Sequence, residues 1–393
     1  MEDEISPDLP GDPPGMSEES EKASDEELLT QLKKKMSEES YSMEQKEKFN
    51  MVFTEYIDII ARSEFDLGRY NFGEHTIETE GYPVKLRSRP LAVHYRERVG
   101  DLLKKNFDQG VIRESFSPWS APIVVAVKKN GKLRICVDYR KLNAVTKKDV
   151  YIIPRIRDIL DGLGGAKYFI SLDLASGYYQ IPLSEGDKEK TAFTSEWGLY
   201  EFNVLPFGLC NAPSTFQRIM DKILAGLKGV FVYIDDIVII GETFQETIDR
   251  YKEVAKRFRK ANLKVNLEKS SFFKRQIEFL GHTISEEGIQ PSDTKIKAVK
   301  EFPRPQSSGD VRAFYGLASF YRSFVQGFAL IAAPLQKLLR KNCKFVWDDE
   351  CQIAFNTLQQ KLISQPILAY PNFLKEFRLY TDASNFGLGA ILG

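Results

Sequence analysis

Apolar positions along the chain recur with two periods, and these predict its elements. Ser42-x-x-Gln45 is a capping box, and Phe49, Val52, Phe53, Tyr56, Ile57 and Ile60 follow the i, i+3, i+4, i+7 spacing of an amphipathic helix. That stripe needs a partner surface, which packing on the body of the protein supplies. Ser24-x-x-Glu27 offers a cap for a short helix through Lys35. Further helices are predicted over Tyr95 to Phe107, from Asn211 (with Pro213 in its first turn) to about Ala225, and over Glu246 to Lys260, where Ile248, Tyr251, Val254, Ala255 and Phe258 share a face. Another starts near Ser308-Gly-Asp310 and carries Val311, Phe314, Tyr315, Ala318 and Phe320. Gly316 in its middle costs roughly 1 kcal/mol against Ala, so its bare surface should serve a contact.

Glu78 to Arg89 reads as extended. Pro122 to Lys128 and Leu133 to Val137 are strand-like runs joined by Lys129-Asn130-Gly131-Lys132, and Asn-Gly is the strongest short hairpin signal. The apolar runs Tyr168 to Leu174 and Val230 to Ile240 read as buried strands or a hairpin, and Ile277 to Ile284 as another hairpin. Helices and strands gathered in this way give an α+β fold, with helices on one face of an antiparallel sheet.

Composition adds looser bounds. At 393 residues, 42% hydrophobic and 12% aromatic, the chain supports two or three domains with real cores. The formal net charge of zero hides an asymmetry: residues 1–45 hold 14 acidic and 4 basic side chains, so the remainder carries a net +10. A moderately basic body suits a polyanionic partner. The acidic leader, rich in Pro and Ser, is expected to be mostly disordered. Cys136, Cys210, Cys343 and Cys351 form neither a disulfide framework nor a Cys-x-x-Cys zinc pattern. With no basic signal peptide and no apolar run near the ~18 residues of a membrane span, the expected compartment is intracellular, cytoplasmic or nuclear.

The chemistry concentrates in Tyr233-Ile234-Asp235-Asp236. Two ionised Asp in an apolar run are costly unless paired or bound to metal. A plain hairpin turn is the alternative, but short turns favour Asn-Gly or Asp-Gly, and no glycine follows until Gly241. A second acidic position, Asp173, closes the run Tyr168 to Leu174, where an Asp can equally cap a helix. Carboxylates from different strands holding two divalent ions ~3.5–4 Å apart are the equipment of nucleotidyl transfer.

Leu172-Asp-Leu-Ala-Ser-Gly-Tyr-Tyr-Gln180, Leu205-Pro-Phe-Gly-Leu209, Tyr233-Ile-Asp-Asp236 and Phe279-Leu-Gly-His282, in that order, resemble the reverse transcriptase of gypsy-class long-terminal-repeat retrotransposons. The resemblance runs from about Gly68 to the last residue. It implies a right-hand polymerase of fingers, palm and thumb with an antiparallel palm sheet, followed by a connection and the start of a ribonuclease H-like domain. The expected divisions are a disordered leader (1–45), an amphipathic helix and linker (46–75), fingers and palm (76–290), thumb (291–340), connection (341–375) and ribonuclease H-like start (376–393).

By that resemblance Asp173, Asp235 and Asp236 are catalytic, and Asp173, Leu174, Asp235 and Asp236 hold two Mg²⁺, with Mn²⁺ as a substitute. Lys128 and Arg134 of the basic hairpin, Tyr178 and Phe207 line the dNTP pocket, Tyr178 as the ring that excludes a 2′-hydroxyl. Phe207 stands where many retroviral relatives carry Gln, although gypsy-class relatives also carry Phe. Leu280 and Gly281 resemble the primer grip, and Gly316 and Phe320 face the duplex from the thumb. His282 reads as a surface or packing residue. Leu379-Tyr-Thr-Asp382 looks like the first ribonuclease H strand with its opening carboxylate. The further acidic ligands of that domain are not in the sequence, so no ribonuclease H activity is expected, and the chain reads as a fragment of a Pol polyprotein. It has no Asp-Thr-Gly or Asp-Ser-Gly protease triplet.

The expected function is RNA-directed DNA polymerisation on a primed RNA or DNA template with dNTPs, without membrane involvement. The alternative is a retrotransposon-derived nucleic-acid-binding protein that has lost catalysis.

Overall fold

The computed structural model describes residues 23–37, 41–127, 131, 133–341, 343–364, 367–371, 376–384 and 387–392. Within the leader expected to be disordered lies a docked helix, α1 (Asp25–Ser37). Ser24 and Glu27 form its capping box, and Leu28, Leu32 and Met36, one turn apart, are buried. These three apolar residues outweigh the acidic composition of the segment, and the helix is the one that Ser24-x-x-Glu27 offers to cap. In α2 (Met43–Glu55) Ser42 and Gln45 cap each other, and Phe49, Val52 and Phe53 are buried. The predicted stripe does not stay α-helical to its end: Ile57–Ile59 is a 3₁₀ turn and Ile60 pairs with Val265.

Helix α3 (Arg96–Asp108) buries Val99 and Leu103. It is followed by β1 (Ile112–Glu114), β2 (Ala121–Val127) and β3 (Leu133–Val137), then by the short helices α4 (Arg140–Val145) and α5 (Ile156–Asp161). β2 and β3 pair from Ile123 opposite Val137 to Val127 opposite Leu133, so the predicted hairpin is present. Its tip, including Lys128, lies outside the described residues. The 78–89 stretch meets the body at two bridges, Thr79 to Thr146 and Lys85 to Ser120.

After β4 (Tyr168–Leu174) and α6 (Glu185–Lys188), β5 (Phe193–Ser195) and β6 (Gly198–Phe202) complete a sheet ordered β1-β6-β5-β2-β3. The chain then forms α7 (Ala212–Ile223), β7 (Val230–Tyr233), β8 (Asp236–Gly241), α8 (Phe244–Ala261) and β9 (Val265–Lys274). β7-β8-β4-β9 is an antiparallel sheet of four strands, the expected palm.

Successive strand residues face opposite sides. Ile170, Leu172, Ile237 and Ile239 therefore join one core with Ile248, Tyr251, Val254 and Phe258 of α8. On the opposite face Phe169, Val238 and Ile240 join a second core with Val311, Phe314 and Phe355. Asp173 and Asp236 share that face at the end of the sheet and belong to neither core.

β10 (Gln276–Phe279), β11 (His282–Ser285) and β12 (Gly288–Pro291) make a three-stranded meander, one strand more than the predicted hairpin. α9 (Asp293–Lys300), α10 (Ser308–Phe320), α11 (Phe328–Lys337) and α12 (Asp349–Ile363) build the second core, and β13 (Leu379–Ser384) pairs with β14 (Gly387–Leu392). The cap of α10 is Ser307, whose Oγ accepts from the amide of Asp310.

Candidate active site

Tyr233 pairs with Asp236 across β7 and β8, which leaves Ile234 and Asp235 as a two-residue turn. The hairpin and metal readings of this motif are therefore compatible. No glycine is used: Ile234 itself takes φ 57°, a left-handed conformation that is strained for a β-branched residue. Gln217 of α7, fully buried, holds it there. Its Oε1 accepts the Ile234 amide at 2.7 Å, and its Nε2 donates to Asp221 at 2.8 Å. Tyr151 donates to the other Asp221 oxygen at 2.6 Å. Gln217 does carry a sequence signal, a polar side chain on the apolar stripe of an amphipathic helix.

Asp173 lies directly opposite Asp236 in the β4–β8 ladder, so like charges face each other by register. The Asp236 carboxyl is pushed up to about 6, first because the sheet crowds it away from bulk water and then by Asp235 and Asp173. Asp173 is raised too, mainly by burial and further by Asp235, while Lys269 pulls the other way from 3.4 Å. Ser270 Oγ accepts the Asp173 amide at 3.1 Å. Lys269 and Ser270 had no sequence signal, because a bulge in β9 brings them there. Leu174, with its side chain buried, has only its carbonyl to offer a metal.

Tyr178 stands on the 3₁₀ turn Gly177–Gln180 that follows β4, entered through Ser176 at φ 47°. Its ring lies 5.0 Å from Phe207 and 5.3 Å edge-on to Phe216, and burial, then Asp235, push its hydroxyl up to about 12. The Arg134 guanidinium sits 4.1 Å above the Phe207 ring. Arg134, Phe207 and Tyr178 thus form one stack next to the carboxylates.

Residues 126–284 match the family described as reverse transcriptase (RNA-dependent DNA polymerase), and residues 347–393 match an RNase H-like domain found in reverse transcriptase. The chain carries a reverse transcriptase domain of the retrotransposon Pol kind. Among its relatives is the Pol polyprotein of transposon 297 of Drosophila melanogaster, 41% identical over 322 residues, which covers 80% of this chain and 30% of that protein. The polyprotein of transposon gypsy from the same organism is 40% identical over 337 residues, 81% of this chain and 32% of the relative. The chain spans about a third of the length of these relatives. A foamy viral protease-reverse transcriptase solved with double-stranded DNA shares the fold, with a TM-score of 0.86 and 23% identity over 96% of this chain and 66% of that one. The RNase H-like match begins before α12, well ahead of the expected boundary at 376.

In this reverse transcriptase domain Phe279 pairs with His282, so Leu280 (φ 49°) and Gly281 (φ 77°) are both left-handed turn residues, as a type I′ hairpin requires. Tyr321, just past α10, donates its hydroxyl to Gly281 O at 2.5 Å, and His282 is buried against Phe320, Tyr321 and Phe324. His282 is thus a packing residue, but not a surface one. Among the described residues a Cβ on Gly316 would meet nothing within 4 Å, so no helix packs there, and Phe320 is 48% exposed. Asp382 lies on β13 opposite Gly389. No helix among the described residues is long and apolar enough to cross a membrane.

Proposed function

We propose that this chain is an RNA-directed DNA polymerase that extends a primer on RNA or DNA with dNTPs. The observation that carries the reading is the pairing of Asp173 with Asp236, beside Asp235 and the Arg134–Phe207–Tyr178 stack. Carboxyls raised by crowding and mutual repulsion fit a divalent cation, which would relieve both. Among the described residues no three such ligands enclose an ion by themselves. An open site suits Mg²⁺, which keeps waters and takes substrate phosphates along with one or two carboxylates.

Asp173, Asp235, Asp236 and the Leu174 carbonyl would hold the metal. Two bound Mg²⁺, or Mn²⁺ in their place, supply activation of the primer 3′-hydroxyl and neutralisation of the departing pyrophosphate. Arg134 offers a planar fork to the triphosphate, assisted by Lys128. The Tyr178 ring, fixed by Phe207 and Phe216, closes the space a ribose 2′-hydroxyl would need. Leu280 and Gly281 present backbone to the primer, and Gly316 and Phe320 present an open helix face to the duplex. Foamy viral relatives solved with double-stranded DNA and with an RNA/DNA hybrid support a primed template as the partner. We divide the chain into fingers and palm to about 290, thumb to about 340, then connection and RNase H-like strands.

The test is Mg²⁺-dependent incorporation of labelled dTTP on poly(rA)·oligo(dT) by the native chain and by Asp235→Asn. Incorporation lost in the variant is expected. No incorporation by a native chain that still binds the duplex overturns the proposal.

A further inference from the structure

Strand β9 is the edge of the catalytic sheet, and it is not regular. Ser171 pairs with Ser271 but Asp173 pairs with Asn266, so β9 spends five residues where β4 spends two. The excess, around residues 267–270, bulges out of the ladder, and backbone groups in such a bulge need partners elsewhere. Inside the bulge, Ser270 Oγ donates to Asn266 O at 2.6 Å and the Lys269 amide donates to Asn266 Oδ1 at 3.2 Å. On the cleft side the bulge holds Asp173 twice, through Ser270 at its amide and Lys269 at its carboxylate.

The other side is closed by the upstream helix. Lys35 Nζ donates to the carbonyls of Glu268 at 2.7 Å and Ser270 at 2.9 Å, on either side of Lys269. Helix α1 is held in place for this by buried Leu28, Leu32 and Met36 and by Ala23, whose amide donates to Arg62 O at 3.0 Å. Next to it the Ala61 amide donates to Val265 O at 2.9 Å, on the same edge strand.

We propose that Lys35 is a positioning residue for Asp173, so that α1 belongs to the working unit of the polymerase. Its ammonium fixes the two carbonyls that set the shape of the bulge, and the bulge sets the carboxylate. The inference rests on the polymerase reading for its consequence in turnover, but the metal affinity it predicts can be measured apart from turnover.

The experiment compares Lys35→Met, Lys35→Arg and, on the exposed side of the same helix, Lys33→Met. Mn²⁺ binding is followed by electron paramagnetic resonance, and single-turnover dTTP incorporation is measured over a range of dTTP concentrations. Lys35→Met is expected to weaken Mn²⁺ binding and to lower the maximal rate about tenfold, with the dTTP concentration dependence unchanged. Lys35→Arg should recover most of both, and Lys33→Met should match the native chain. Native Mn²⁺ affinity and rate in Lys35→Met overturn the proposal. So does an equal loss of Mn²⁺ affinity in Leu103→Ala, a variant weakened in helix α3, outside the four-stranded sheet. A native chain that binds Mn²⁺ but incorporates nothing overturns the polymerase reading, while the Mn²⁺ comparison still decides the role of Lys35.

Discussion

Gln217 and Ile234 are joined by a 2.7 Å hydrogen bond from the strained turn's amide to a fully buried side chain. The helix behind the sheet thereby fixes the backbone next to Asp235. Gln217→Leu leaves that amide without its acceptor, which costs about 1–3 kcal/mol at the turn. Single-turnover incorporation is expected to fall by about one to two orders of magnitude. Template-primer affinity, measured by fluorescence anisotropy, should hold.

Asp236 sets a dependence on pH. Its folded value, about 6, lies above that of an unfolded carboxyl, so ionisation opposes folding. Without metal, this group's contribution favours the fold fully below the ordinary carboxyl range and is lost as pH rises through about 6. Thermal melts in EDTA should therefore show Asp236→Asn more stable than the native chain at pH 7.5. Added Mg²⁺ should narrow the gap by stabilising the native chain more than the variant.

On the proposed function, Tyr178→Ala opens the space that a ribose 2′-hydroxyl would need. Discrimination against rUTP relative to dTTP should drop by about 10²-fold, judged from the ratio of kcat/KM values. Incorporation of dTTP should change far less.

Arg134→Ala removes the fork above Phe207. KM for dTTP is expected to rise about tenfold, and Arg134→Lys should restore only part of it because a point charge cannot bond two oxygens in one plane. Steady-state kinetics on a primed homopolymer would show both effects.

Tyr321→Phe deletes the bond to Gly281 O and costs about 1 kcal/mol. Shorter extension products under a heparin trap, with an unchanged rate for the first nucleotide, would mark the loosened primer turn.

The strand and helix periods made most of this fold readable, because amphipathic faces and Asn-Gly chemistry are local signals. Asp173, Asp235 and Asp236 were legible as unlikely residues in apolar runs. Lys269 and Ser270 were not, since their approach to Asp173 depends on how many residues β9 gives up to its bulge. Helix α1 was visible as a cap, yet its acidic surroundings concealed the three apolar residues that dock it. Tyr321 carries no sequence signal, because a hydroxyl aimed at a carbonyl 40 residues away leaves no trace in spacing.

Pairing Asp173 with Asp236 makes folding inspect its own product. A slip of one residue between the two strands would turn a carboxylate into the packed apolar side of the sheet, at a cost no neighbouring group there could offset. Mispaired molecules are therefore less stable than those in which Asp173 faces Asp236.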